Sequence, residues 1–140
     1  MASAPTVNLT AYKRVPFDET IPDFRDDYAG ATVALEMRNE AGDTGAAVVT
    51  LGASASGSEG VSITYDGAYV FEHNGTTYTG ASLIQIIINE GTIEALSLNA
   101  PTSAPLVLYY DLHVQVAGVN NGKKFVAMGG TFTINPGVTV

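Results

Sequence analysis

The chain has 140 residues, 46% hydrophobic and only 14% charged, which excludes an ordinary disordered chain and makes one domain with its own core the expectation. The formal net charge is −8 with six Lys and Arg in all and no basic run, so nothing here would neutralise a nucleic-acid backbone or dock on an anionic membrane. There is no cysteine, which excludes disulfides, thiolate metal sites and a cysteine nucleophile.

Residues 1–5 have neither a basic region nor an apolar run, so neither export nor membrane insertion is expected. Residues 7–14 alternate weakly and contain β-branched and aromatic members, which predicts a strand ending before Pro16. Between Phe17 and Tyr28 five carboxylates, Asp18, Glu19, Asp23, Asp26 and Asp27, are interleaved with Phe17, Ile21, Phe24 and Tyr28. Pro16 and Pro22 predict an extended edge segment or an ordered loop there, because proline gives no ladder hydrogen bond.

Residues 32–38 place Val33, Leu35 and Met37 on one face, the pattern of a half-buried strand. Asn39, Gly42, Asp43 and Gly45 supply a turn, and residues 46–51 return as the second strand of a hairpin. Residues 52–60 are small, polar and rich in Gly and Ser, which predicts a mobile loop. Residues 61–65 and 68–73 flank Asp66-Gly67, a dipeptide suited to a two-residue type I′ turn, and Asn74-Gly75 offers another turn before residues 76–79. A meander of short strands is the expectation.

The β-branched run over residues 83–88 suits a central strand buried on both faces. One helical turn is expected near residues 92–96, with Thr92 as its cap and Ile93 and Leu96 facing inward. Pro101 and Pro105 then delimit a loop. Over residues 106–116 Leu108, Tyr110, Leu112, Val114 and Val116 share one face, and Asn121-Gly122 closes a hairpin to a last strand over residues 124–134. Within that strand Gly129-Gly130 marks a bulge or a close backbone approach, and Pro136-Gly137 ends the sheet.

Roughly seven to nine short strands at this turn spacing predict an all-β fold, an antiparallel β-sandwich of immunoglobulin-like shape over residues 1–140. A small closed barrel is the alternative.

Catalytic chemistry finds little support in these residues. His73 and His113 each sit in a predicted strand, and the serines cluster in the 54–58 loop without a nucleophile-elbow motif. Glycoside hydrolysis would need two carboxylates in distinct environments, and a sugar cleft usually has aromatic platforms that a chain without tryptophan supplies poorly. Asp18, Glu19, Asp23, Asp26 and Asp27 are weak candidates for calcium ligands, because their spacing lacks the alternating Asp loop grammar, and a solvated or partner-facing acidic edge is the leading reading, with no metal expected. No cofactor is implied. The seven tyrosines divide between a contact surface and core packing.

Several stretches, in matching order over most of the chain, carry a resemblance to a known group of proteins. They are Pro16-Phe17-Asp18, Gly30-Ala31-Thr32 through Met37-Arg38, Gly42-Asp43-Thr44-Gly45-Ala46, Glu59-Gly60-Val61-Ser62 and residues 86–96. Tyr110-Asp111-Leu112-His113, Gly130-Thr131-Phe132-Thr133-Ile134 and Gly137-Val138-Thr139 continue the series. With them the chain resembles small immunoglobulin-like structural proteins encoded in the tail modules of bacteriophages and prophages; the glycine-rich 52–60 loop departs from that pattern. The resemblance implies a virion component, a tail, neck or baseplate adaptor or decoration module present in several copies, with other virion proteins as partners and no catalytic residue. A capsid decoration protein and a carbohydrate-binding module for the host surface are the alternatives.

Assembly of this kind would use strand edges and extended termini. Residues 1–14 and 135–140 are therefore expected to be arms that can be removed without unfolding the domain. The candidate contact residues are Val7, Leu9 and Tyr12 in the first arm, Phe17, Phe24 and Tyr28 among the carboxylates, and Val138 and Val140 in the last.

Overall fold

Alternation with period two runs through most of this chain, and each alternating stretch buries its apolar side against a second layer. A computed structural model describes residues 4–42, 45–96 and 104–136. In chain order the strands are β1 (Leu9–Tyr12), β2 (Phe17–Asp23), β3 (Thr32–Arg38), β4 (Val49–Gly52), β5 (Gly60–His73) and β6 (Thr76–Ile88). The helix α1 (Glu90–Leu96), β7 (Leu106–Gln115) and β8 (Phe125–Asn135) follow. Two sheets form, one in the order β1-β8-β7-β3-β4 and one in the order β2-β6-β5.

This is an all-β sandwich, and the strand order β2-β6-β5 facing β8-β7-β3-β4 is that of immunoglobulin-type domains, with α1 at the crossover between the sheets. Such domains commonly join their sheets by a disulfide; here apolar packing does that work. Phe17 meets Phe132 edge-on at 5.1 Å, and Leu35, Met37, Ile84, Ile86, Ile88, Leu112 and Ile134 fill the space between the layers. One pairing departs from the expected antiparallel pattern: β1 runs parallel to β8.

The strand at residues 32–38 and its hairpin partner form as expected, as does the buried β6, the middle strand of its sheet. Pro22 lies on β2, which is an edge strand, where a missing N–H costs no ladder bond. Three details differ, and the choice between bulge and close approach at Gly129-Gly130 is decided. Asp66-Gly67 is not a turn but a bulge inside one long strand, β5, and the hairpin closes at Asn74-Gly75, whose φ angles of 52° and 79° suit a type I′ turn. Thr92 lies inside α1, which begins at Glu90, and Asn89 O accepts from the N–H groups of Thr92 and Ile93 at 3.0 and 3.1 Å. The bulge of β8 falls between Leu112 and His113 of its partner, while Gly130 supplies the close approach: a Cβ there would lie 2.7 Å from Val7 O. The 52–60 loop is tied down, because Gln85 Oε1 accepts from Ser56 Oγ and Gly57 N, and Gln85 Nε2 donates to Asp18 Oδ1.

The first strand is not a free arm. Leu9 and Ala11 are buried in the core, Val7 N donates to Gly129 O at 2.8 Å and Lys13 N to Asn135 O at 3.0 Å. Tyr110 Oη–H closes the same seam by donating to Val7 O at 2.6 Å. Residues 5–13 are thus part of the sandwich. Of the expected C-terminal arm, residues 137–140 lie outside the described residues, and Asn135 is still paired with Tyr12.

Candidate functional site

The hairpin of β5 and β6 is longer than the sandwich that carries it. Pairing of β2 with β6 stops at Asp23 and Ser82, whereas β6 runs back from there to Thr76. At ~3.4 Å per residue the two strands project for about 20 Å beyond the cover of β2. An isolated two-stranded ribbon is marginal in water, so this arm needs local devices to hold it.

The devices are visible at its root. Asp66 Oδ1 accepts from Ala68 N at 2.9 Å, which stabilises the bulge between Asp66 and Val70. Gly80 has φ 93°, and a Cβ on it would run into the Tyr65 hydroxyl, so the tyrosine ring lies across the glycine and covers the backbone there. Beyond the bulge the ladder resumes with Val70 opposite Thr79, Phe71 opposite Tyr78 and His73 opposite Thr76.

Those pairings sort the side chains onto two faces. One is aromatic: Phe71 lies 6.5 Å from Tyr78 and 6.0 Å from His73 between ring centroids. Phe24 stacks on it from the neighbouring loop, 4.7 Å from Phe71 and 5.5 Å from Tyr69. The other face presents Val70, Glu72, Thr77 and Thr79. Much of the aromatic face remains open, with Tyr78 44% and Phe71 40% exposed, and Val70 on the opposite face is 63% exposed. The adjoining rings of Phe71 and Tyr78, exposed together, mark a candidate interaction surface.

The loop that delivers Phe24 is built with unusual care. Asp23, almost fully buried, takes three hydrogen bonds from Arg25, at 3.0 Å from the backbone N, 3.0 Å from Nε and 2.6 Å from Nη2, and Arg25 Nη2 also donates to Ala127 O on the other sheet at 2.7 Å. The Asp23 carboxylate raises the Arg25 pKa still further, against a smaller opposing effect of burial. Ser82 Oγ accepts from Tyr28 N and donates to Asp26 O. The loop is thereby clamped to both sheets, and Phe24 with it. Burial pushes the Tyr28 hydroxyl up to about 12, and the adjacent Asp23 carboxylate adds to the effect without closing a hydrogen bond of good geometry.

Comparison of the chain with protein-family models, with curated proteins and with solved structures finds no match.

The residues singled out by sequence are dispersed. Asp23 is committed to Arg25, Asp18 to Gln85, and Asp27 Oδ1 caps its own turn by accepting from Ala29 N. Glu19 pairs across to Ile86 on an edge strand, and Asp26 contributes its backbone carbonyl to Ser82. The five carboxylates therefore do not converge as calcium ligands, and among the described residues no group of three His, Asp or Glu could hold a metal ion. Of the expected contact residues, Leu9, Phe17 and Tyr28 are core, Val7 is half-buried at the β1–β8 seam, Phe24 is half-buried against Phe71 and Tyr69, and Tyr12 is exposed. Val138 and Val140 lie outside the described residues.

His73 stands on the arm, while His113 lies on β7 with Nδ1 3.6 Å from Glu36 Oε2, so the two imidazoles occupy different sheets. A shallow cleft of about 340 Å³ is lined by Glu36, Arg38, Tyr109 and Asp111, with Arg38 held by Glu36 at 3.2 Å. The feature missed in the sequence is the arm itself. Its signal is the near-equal length of the alternating stretches on either side of Asn74-Gly75.

Proposed function

We propose that this protein is a structural component of a bacteriophage particle, an adaptor or decoration module of the tail, neck or baseplate, acting by binding other proteins and not by catalysis. The observation that carries this reading is the projecting β5–β6 arm with its open apolar face. The immunoglobulin-type sandwich and the ordered resemblance to tail-module proteins support it.

Its mechanism is attachment. The rigid sandwich holds the arm at a fixed angle, through the Asp23–Arg25 clamp and the Phe24 stack, so little ordering entropy is lost when the arm meets its neighbour. Exposed strand edges on β5 and β4 add backbone donors and acceptors for further chains.

The decisive experiment replaces residues 70–79 with Asn-Gly, which shortens the hairpin and, apart from the Phe24–Phe71 stack, leaves the strand pairings of the sandwich in place. The shortened protein is expected to unfold cooperatively yet fail to enter particles when it is the only copy supplied. Normal incorporation would overturn the reading. Glycan-array binding that disappears with Phe71→Ala and Tyr78→Ala would replace it with host-surface carbohydrate recognition.

A further inference from the structure

The six basic residues are unevenly placed, and none lies between Arg38 and Lys123. The arm falls in that gap and carries only acidic charge, Asp66 and Glu72. Among the described residues Arg25 is paired with Asp23 and Arg38 with Glu36, while Lys123 and Lys124 make no ion pair.

Those two lysines stand at the same end of the molecule as the arm. Lys124 precedes Phe125, whose ring lies 5.6 Å from Tyr28, and Arg25 of that same loop bonds Ala127 O, while Phe24 of the loop stacks on the arm. Lys124 also lines a shallow apolar depression of about 240 Å³ with His113, Phe125 and Val126, the last 37% exposed. His113 and Val126 are directly opposed across β7 and β8, so Lys124 and Val126 share the outer face of the sheet.

The two surfaces match in chemistry and in spacing. The arm offers Val70 and Glu72 two residues apart on one face of a strand; the depression offers Val126 and Lys124 two residues apart on one face of another. Valine would meet valine, and carboxylate would meet ammonium. From this complementarity we infer that the arm of one copy docks on the Lys124–Val126 face of a second copy of this chain. The inference rests on the assembly reading above and names its partner.

Area and position decide the symmetry. An arm about 20 Å long and two strands wide, about 10 Å, covers about 200 Å², or about 400 Å² counting both partners. That is far below the roughly 1,000 Å² expected of a specific interface, whereas two arms docked reciprocally reach about 800 Å², the size of a weak, reversible contact. Because arm and seat lie at one end, two copies meeting end to end each place an arm on the other's seat, which is a closed two-fold dimer.

The full chain is tested by sedimentation velocity across protein concentration and salt. A dimer that weakens as salt rises is expected. Glu72→Lys and Lys124→Glu should each weaken it by about three- to ten-fold, and the double variant, which restores opposite charges, should recover most of the loss. Each variant is checked for an unchanged far-UV spectrum and melting transition. A protein that is monomeric at every concentration, a dimer indifferent to both reversals, or a double variant weaker than either single one would overturn the inference. A monomer whose shortened-arm variant still fails to enter particles would sink only the self-docking and leave the assembly function standing.

Discussion

Tyr28 and Tyr110 tie the fold to proton chemistry at the alkaline end of the scale. Burial raises the Tyr28 hydroxyl from 10.0 to about 12. Burial first, and then the charges of Glu19 and Asp111, hold Tyr110 well above the ordinary tyrosine value while its hydroxyl donates to Val7 O. A raised folded pKa means that the unfolded chain loses the proton first, so stability is fully present below pH 10 and falls as pH climbs toward 12. For Tyr28 the loss over that window is about 2 kcal/mol. Denaturant unfolding at stepped alkaline pH should show this decline, and Tyr28→Phe should make it shallower. A slope identical in the variant would mean that Tyr28 ionises in the folded protein as easily as in the unfolded one.

The long hairpin shows where local sequence signals hold and where they fail. Gly80 combines φ 93° with the Tyr65 ring lying over it, so Gly80→Ala carries both a backbone penalty and a collision. The substitution should cost about 1–2 kcal/mol in thermal unfolding, and adding Tyr65→Ala should relieve the collision and not the backbone part. Fully additive losses in the double variant would refute that division. β7 was legible because Leu108, Tyr110, Leu112 and Val114 alternate without interruption, and β6 because its isoleucines lie between glycines. The arm was not. Asp66-Gly67 and Asn74-Gly75 are equally good turn dipeptides, and nothing local says which one closes the hairpin. The choice is made by the ladder: closing at Asn74-Gly75 lets Val61, Ile63 and Tyr65 pair with Ile86, Ile84 and Ser82, and the leftover residues are absorbed as a bulge. The partners of the carboxylates were not legible for a related reason. Their clustering in sequence is real, but a strand sends Asp18 and Asp23 to different partners, and burial of Asp23 with Arg25 depends on a carbonyl from residue 127 that no local pattern reveals.

At the scale of the molecule the β5–β6 arm and the N-terminal strand differ in kind. The shortened arm should leave a folded domain, because residues 70–79 touch the sandwich mainly through Phe24. Removing residues 1–13 should not. That deletion exposes the β8 edge, empties the sites of Leu9 and Ala11, and removes the bonds from Val7 to Gly129 and from Tyr110 to Val7. The buried leucine alone accounts for about 2–3 kcal/mol, and the lost hydrogen bonds and the cavity add to it. Against a total stability of about 5–15 kcal/mol such a loss leaves little or nothing. The truncated chain is expected to lack a cooperative melting transition and to expose apolar surface to a hydrophobic dye. If it melted sharply near the temperature of the intact protein, β1 would be an accessory strand after all, and the N-terminal segment would again be available to a neighbouring subunit.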